Sequence, residues 1–150
     1  MTEDFNLGEI RFSRIYDAPI ELVYDCMITP EHLTNFFGPY GISAPLETIV
    51  IDPRVGGVYD IVMVNDANGD LYPNHGIIEE IERPTRLATL EPDVPGGTMR
   101  AVQTFTDLGD GRTRVDIVQT GVPEMYRSPE AQAGMQLSFD RFAEYLTTIK

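Results

Sequence analysis

SPEAQAGMQLSFDRFAEYLTTIK, residues 128–150, is the stretch whose reading decides the fold. Within it Met135, Phe139, Phe142, Leu146 and Ile149 recur at helical spacing, which places all of them on one face of an α-helix. Ser128 is suited to cap the first turn, Pro129 to the first helical position, and Glu130 to the positive end of the helix dipole. Burying each apolar side chain of the stripe is worth about 1.5–3 kcal/mol, so the helix demands a partner surface. Most of the chain between residues 45 and 121 reads as strand. The partner is therefore a sheet.

Length and composition bound what such a protein can be. A chain of 150 residues fits one domain, 1–150, able to bury about 70% of the surface its unfolded form exposes. The single cysteine, Cys26, excludes an intramolecular disulfide and suits a reducing compartment. Beside Met27 and Ile28 it reads as a buried thiol. Residues 1–6 lack the basic region and apolar core of a signal peptide, and no apolar run approaches membrane-spanning length. A cytoplasmic location is expected. Lys plus Arg total 11 against 24 for Asp plus Glu, a net charge of −13, which disfavours nucleic acid and anionic membranes as partners.

Working back from the helix, residues 113–120, 99–107, 85–90, 71–82, 58–64 and 46–52 read as strands. Leu108-Gly109-Asp110-Gly111, Ala67-Asn68-Gly69-Asp70 and Pro53-Arg54-Val55-Gly56-Gly57 form turns between them, Arg83-Pro84 stops a strand, and Pro95-Gly96-Gly97 forms a loop. Residues 9–17 give a first strand. Pro19 opens a short helix that places Ile20, Val23, Tyr24 and Met27 on one face, and Thr29-Pro30-Glu31 opens another carrying His32, Leu33, Phe36 and Phe37. Short connections between successive strands imply an antiparallel meander. The expected fold is α+β: a curved antiparallel sheet of about seven strands around a long C-terminal helix, with two short helices between the first and second strands.

That architecture is the helix grip, and the residues resemble the SRPBCC superfamily, whose members share the START or Bet v 1-like fold. Within it the chain is similar to the activator of Hsp90 ATPase homologue 1-like subfamily. The resemblance rests on Ala18-Pro19-Ile20-Glu21-Leu22-Val23-Tyr24, Thr29-Pro30-Glu31-His32-Leu33, Phe36-Phe37-Gly38-Pro39, Asp52-Pro53-Arg54-Val55-Gly56-Gly57 and Leu137-Ser138-Phe139-Asp140-Arg141-Phe142. Where the family commonly carries tryptophan, this chain has Phe36, Phe37 and Met135, and it contains no Trp. It also lacks the amino-terminal domain through which the co-chaperone engages its chaperone, so a chaperone partner is not expected.

Few constellations in the sequence carry chemistry. His32 and His75 are not at metal-ligand spacing, Cys26 stands alone, and no phosphate loop or nucleophile elbow is present; no metal and no cofactor are expected. His32 is expected on a solvated helix face, and Glu79, Glu80 and Glu82 on a charged outer surface. Strand alternation predicts a concave face carrying Tyr59, Ile61, Met63, Met99, Ala101, Gln103, Phe105, Val115, Ile117 and Gln119, with Asp60, Arg100, Arg114 and Asp116 outside. Tyr72 and His75 are further candidates for it. Isolated polar groups in an apolar hollow suit a small apolar or amphipathic ligand, with Met135 and Phe139 on the opposite wall and Phe36, Phe37 and Tyr40 near the mouth. The competing reading is a filled core in which Gln103 and Gln119 bond each other. The resemblance adds two alternatives: a polyketide cyclase or aromatase-like enzyme using His75, Tyr72 and Gln103, and a protein-binding module using Phe36, Phe37 and Tyr40. No acid/base pair is readable, so binding is expected ahead of catalysis. A homodimer is left open.

Overall fold

The computed structural model describes residues 7–94 and 97–149. The readings made above for residues 1–6, Pro95, Gly96 and Lys150 lie outside the described residues. Strand β1 (Leu7–Tyr16) leads into helices α1 (Ile20–Ile28) and α2 (Pro30–Leu33). Strands β2 (Ile42–Ser43), β3 (Val50–Ile51), β4 (Val58–Asn65), β5 (Leu71–Glu82), β6 (Arg86–Val94), β7 (Gly97–Asp107) and β8 (Thr113–Pro123) follow, and helix α3 (Pro129–Ile149) closes the chain. The sheet has eight antiparallel strands in the order β1-β8-β7-β6-β5-β4-β2, with β3 also paired to β4.

Residues 46–52 depart from the expected strand. Leu46–Thr48 forms a 3₁₀ turn and only Val50–Ile51 pairs. Thr48 Oγ1 donates to the Pro45 carbonyl at 2.8 Å, a local bond that competes with the ladder and outweighs the β-branched composition. Thr29 likewise does not cap α2; its hydroxyl donates back to the Asp25 carbonyl at 2.6 Å. Ser128 does cap α3, accepting from the Ala131 amide at 3.1 Å. At the β3–β4 connection Gly57 is obligatory, because a Cβ there would come within 2.0 Å of the Asp52 carbonyl oxygen.

Two apolar clusters hold α3 to the sheet. The larger gathers Tyr16, Val23, Tyr24, Cys26, Leu33, Phe36, Ile61, Ile78, Leu87, Phe105, Val115, Phe142 and Leu146. Phe142 is its hub, with ring centroids 4.3 Å from Phe36 and 4.8 Å from Tyr16. Cys26 is wholly buried here, and burial pushes its thiol up to about 12, so it stays protonated and inert. His32 also belongs to this end: it is half-buried, with Nδ1 2.6 Å from the Tyr145 hydroxyl, and not on the solvated face that helical spacing suggested. A long aromatic side chain reaching across from α3 covers it. The second cluster is smaller, with Ile10, Phe12, Met99 and Val122 buried and Val94, Ile117, Met135 and Phe139 packed against them.

The stripe of α3 is thus divided. Phe142 and Leu146 are buried in the first cluster and Ile149 packs on it, whereas Met135 and Phe139 are only half-buried in the second. Gly134 sits at the weaker end, and a Cβ on it would meet nothing within 4 Å. Gly134→Ala is therefore expected to stabilise the protein by about 1 kcal/mol, read as a higher urea midpoint at unchanged slope. Amide exchange along α3 is expected to be faster before residue 138 than after it; uniform protection would contradict the division.

Candidate functional site

Strand register builds the concave face one row at a time. Ile78, Thr89, Ala101, Gln119 and Ile10 lie opposite one another across five strands. The neighbouring row is Ile81, Leu87, Gln103, Ile117 and Phe12. Phe12 meets Phe139 of α3 edge to face at 5.3 Å, which fixes this as the side the helix covers. Thr89 and Gln119 flank Ala101 on the two neighbouring strands and Gln103 is two residues along from Ala101 on its own strand, so all three lie on one face around Ala101. One pair beyond the first row, Glu91 lies opposite Met99.

This region falls between the two clusters. Thr89, Glu91, Ala101, Gln103 and Gln119 are members of neither, and all are half-buried, not sealed. Among the described residues the side chains of Glu91, Gln103 and Gln119 have no hydrogen-bond or ion-pair partner; in particular the two amides do not bond each other. No buried side-chain nitrogen or oxygen among the described residues lacks a partner, so the polar atoms of these three must be reached by solvent. This solvent-reached part of the concave face, apolar at its sides and carrying a few free polar groups, is the candidate groove.

The β5 side of the groove is bare at Gly76. It is buried opposite Tyr59, and a Cβ would lie 3.0 Å from the Tyr59 carbonyl oxygen. Ile77 pairs with Leu90, so Gly76 and Glu91 are the next residues along and no side chain rises from β5 beside the Glu91 carboxyl. Tyr59 itself turns its hydroxyl away, donating to the Met27 carbonyl, and burial holds that phenol protonated. Burial alone pushes the Glu91 carboxyl above its ordinary value. No opposing charge lowers it.

The predicted site residues do not all meet here. Gln103, Ile117, Gln119, Met99, Met135 and Phe139 surround the groove, and Tyr59, Ile61, Met63 and Phe105 lie on the same concave face toward the first cluster. Phe36 is buried against Phe142 and Phe37 packs behind it, so neither forms an exposed patch. Tyr40 is exposed, its hydroxyl donating to Glu144 at 2.9 Å. Tyr72 shares the face of Met63 but is 41% exposed at the sheet edge. His75 does not share that face: paired with Asp60 in register, it stands outside with Nδ1 2.6 Å from the Asp60 carboxylate. Strand parity decides this, because Gly76 occupies the inward position. His75, Tyr72 and Gln103 are accordingly not brought together.

Glu91 is the residue that sequence reading missed. The alternation Leu87, Thr89, Glu91 was available, but the strand was expected to end at residue 90. Instead β6 runs to Val94 and absorbs Pro92 in a register shift between Glu91 and Val94. Glu79 and Glu80 show the same physics on the outer surface. A bulge between Ile78 and Glu80 lets both point outward, where Arg100 bridges Glu79 and Glu80, and Arg86 also binds Glu80. Two shallow depressions are open to solvent, one of about 330 Å³ where β1 meets β8, lined by Arg11, Phe12, Ser13, Asp116, Ile117 and Val118, and one of about 300 Å³ by Tyr40, Arg141 and Glu144. Their charged groups are already engaged, Asp116 with Arg114, Glu144 with Tyr40, and Arg141 with the carbonyls of Gly38 and Ile42. The groove is the stronger candidate.

A curved antiparallel sheet and a gripping C-terminal helix define an α+β helix-grip protein. Residues 17–147 match the family described as activator of Hsp90 ATPase homolog 1-like protein, and the chain belongs to that family. A crystal structure of a protein from Chromobacterium violaceum superposes with a TM-score of 0.81 at 29% identity, covering 91% of this chain and 95% of that one. A protein of the same family from Silicibacter pomeroyi gives 0.80 at 19% identity over 95% and 100%. One from Rhodobacter sphaeroides gives 0.82 at 17% over 95% of each chain. No curated protein matches the chain. Among the described residues no helix is long and apolar enough to cross a membrane.

An unpartnered carboxyl in this position has a signature in stability. Because the folded value of Glu91 is raised, the group favours the fold only below the ordinary carboxylate range near about pH 4. That contribution is lost as pH rises through the raised folded value. Glu91→Gln is therefore expected to melt above the wild type at pH 7, with the gap closing near pH 4. An equal gap at both pH values would contradict the placement.

Proposed function

We propose that this protein binds a small, largely apolar molecule carrying hydrogen-bonding groups, held between the concave face and the first half of α3. The observation that carries this reading is the set of unpartnered, solvent-reached side chains, Glu91, Gln103 and Gln119, in the gap between two apolar clusters. Ligand sites are mainly apolar, with a small number of placed polar groups that fix orientation. The walls fit that description: Ile10, Phe12, Ile117 and Phe139 supply area, and the amides of Gln103 and Gln119 can each donate and accept. Met99 and Met135 add adaptable surface at the same end. The family's fold, which grips one helix in a curved sheet, supports a binding role of this kind.

Filling the groove tests it. Ala101 is half-buried at the centre of the floor, between Thr89 and Gln119. Ala101→Trp is expected to leave the circular dichroism spectrum and melting temperature nearly unchanged, because the new ring enters open space. It is expected to weaken binding of N-phenyl-1-naphthylamine, an uncharged apolar probe, by about tenfold or more. If the floor were packed, the larger side chain would cost about 1–3 kcal/mol or more, and the wild type would not take up the probe. Unfolding of the variant together with a silent wild type would overturn the proposal.

A further inference from the structure

Resting on the binding role proposed above, we propose that the ligand carries a basic amine and that Glu91 is the residue that recognises it. Glu91 is half-buried on the concave face, lies opposite Met99, and has no partner among the described residues. A carboxylate withdrawn from bulk water demands a cation or several donors. The described residues supply neither. On the strands that flank it, Arg86 of β6 and Arg100 of β7 point to the outer surface, where Glu79 and Glu80 hold them. On the helix-facing side, Arg14 of β1 is paired with Asp140 at 2.7 Å, Arg127, which packs over Gly8, donates to the Val122 carbonyl, and Arg141 of α3 donates to the carbonyls of Gly38 and Ile42. β8 and β7 separate β1 from β6, a backbone distance of about 14 Å.

Register and field point the same way. Gly76, the residue of β5 next to Glu91 in register, carries no side chain that could pair with its carboxyl. An ammonium at Glu91 places an attached apolar body toward Ile117, Phe12 and Phe139, while Gln103 and Gln119 remain for a hydroxyl or carbonyl along its length. The net charge of −13 draws cations toward the protein and repels carboxylates. Amphipathic amines fit this floor better than fatty acids do.

Three ligands of equal chain length separate the contributions: decylamine, decan-1-ol and decanoate, each titrated below its micellar range by displacement of N-phenyl-1-naphthylamine, an uncharged apolar probe. The wild type is expected to bind the amine at least about tenfold more tightly than the alcohol, and the alcohol more tightly than the carboxylate. Glu91→Gln should erase the amine's advantage while leaving the alcohol unchanged, and Glu91→Lys should turn the preference toward decanoate. Glu47→Gln, which removes an equal charge from an exposed turn, should keep the wild-type order. Alcohol binding without an amine preference, or a preference that survives Glu91→Gln, would overturn the role of Glu91 and leave the groove's binding role standing. Failure of all three ligands to bind would remove both.

Discussion

Phe142 is the contact on which the rest of the molecule depends. Its ring stacks on Phe36 from the segment after α2 and meets Tyr16 at the end of β1, so one side chain joins the last helix, the small helices and the sheet. Leu146 adds to the seal one turn later, and Arg141 fastens the same region by donating to the carbonyls of Gly38 and Ile42. Everything anchored there lies toward the C-terminal half of α3. The other half is held by Met135 and Phe139 alone, against a cluster of only four buried residues. Asymmetric anchoring of a helix over a curved sheet leaves a gap near the weaker end, and that is where the free polar side chains stand.

Much of this was legible in advance, for a physical reason. The apolar spacing in α3, the β-branched strands and the glycine and proline turns are local signals that tertiary packing reinforces. The inward parity of Tyr59, Gln103 and Gln119 followed from simple alternation. What was not legible arose where alternation is interrupted. The register shift after Glu91 prolonged β6 past Pro92, and inward placement of Gly76 sent His75 to the surface, whereas Glu79 and Glu80 lie on the outer surface as expected, by way of a bulge after Ile78 that alternation alone does not show. Residues 46–48 failed for a different reason, since the Thr48 hydroxyl satisfies a neighbouring carbonyl locally and strand composition then loses.

His75 and Glu91 differ in what the fold does with them. His75 was a candidate by its chemistry, yet the structure pairs it with Asp60 on the outer face. Glu91 falls one residue past the strand expected over 85–90, and the structure places it half-buried on the concave face without a partner among the described residues. Burial and the absence of an internal partner, more than residue type, set how a side chain can act.

The proposed binding role also accounts for the free polar groups of the concave face. A hollow lined only by apolar side chains would collapse or fill at little cost, as cores readily repack when volume is conserved. Polar groups without partners among the described residues oppose such collapse, since sealing them would cost about 1–3 kcal/mol each. Under that proposal Glu91, Gln103 and Gln119 stay in contact with water until a ligand with complementary groups replaces it, and a ligand that pairs these groups would stabilise the fold in proportion to its affinity.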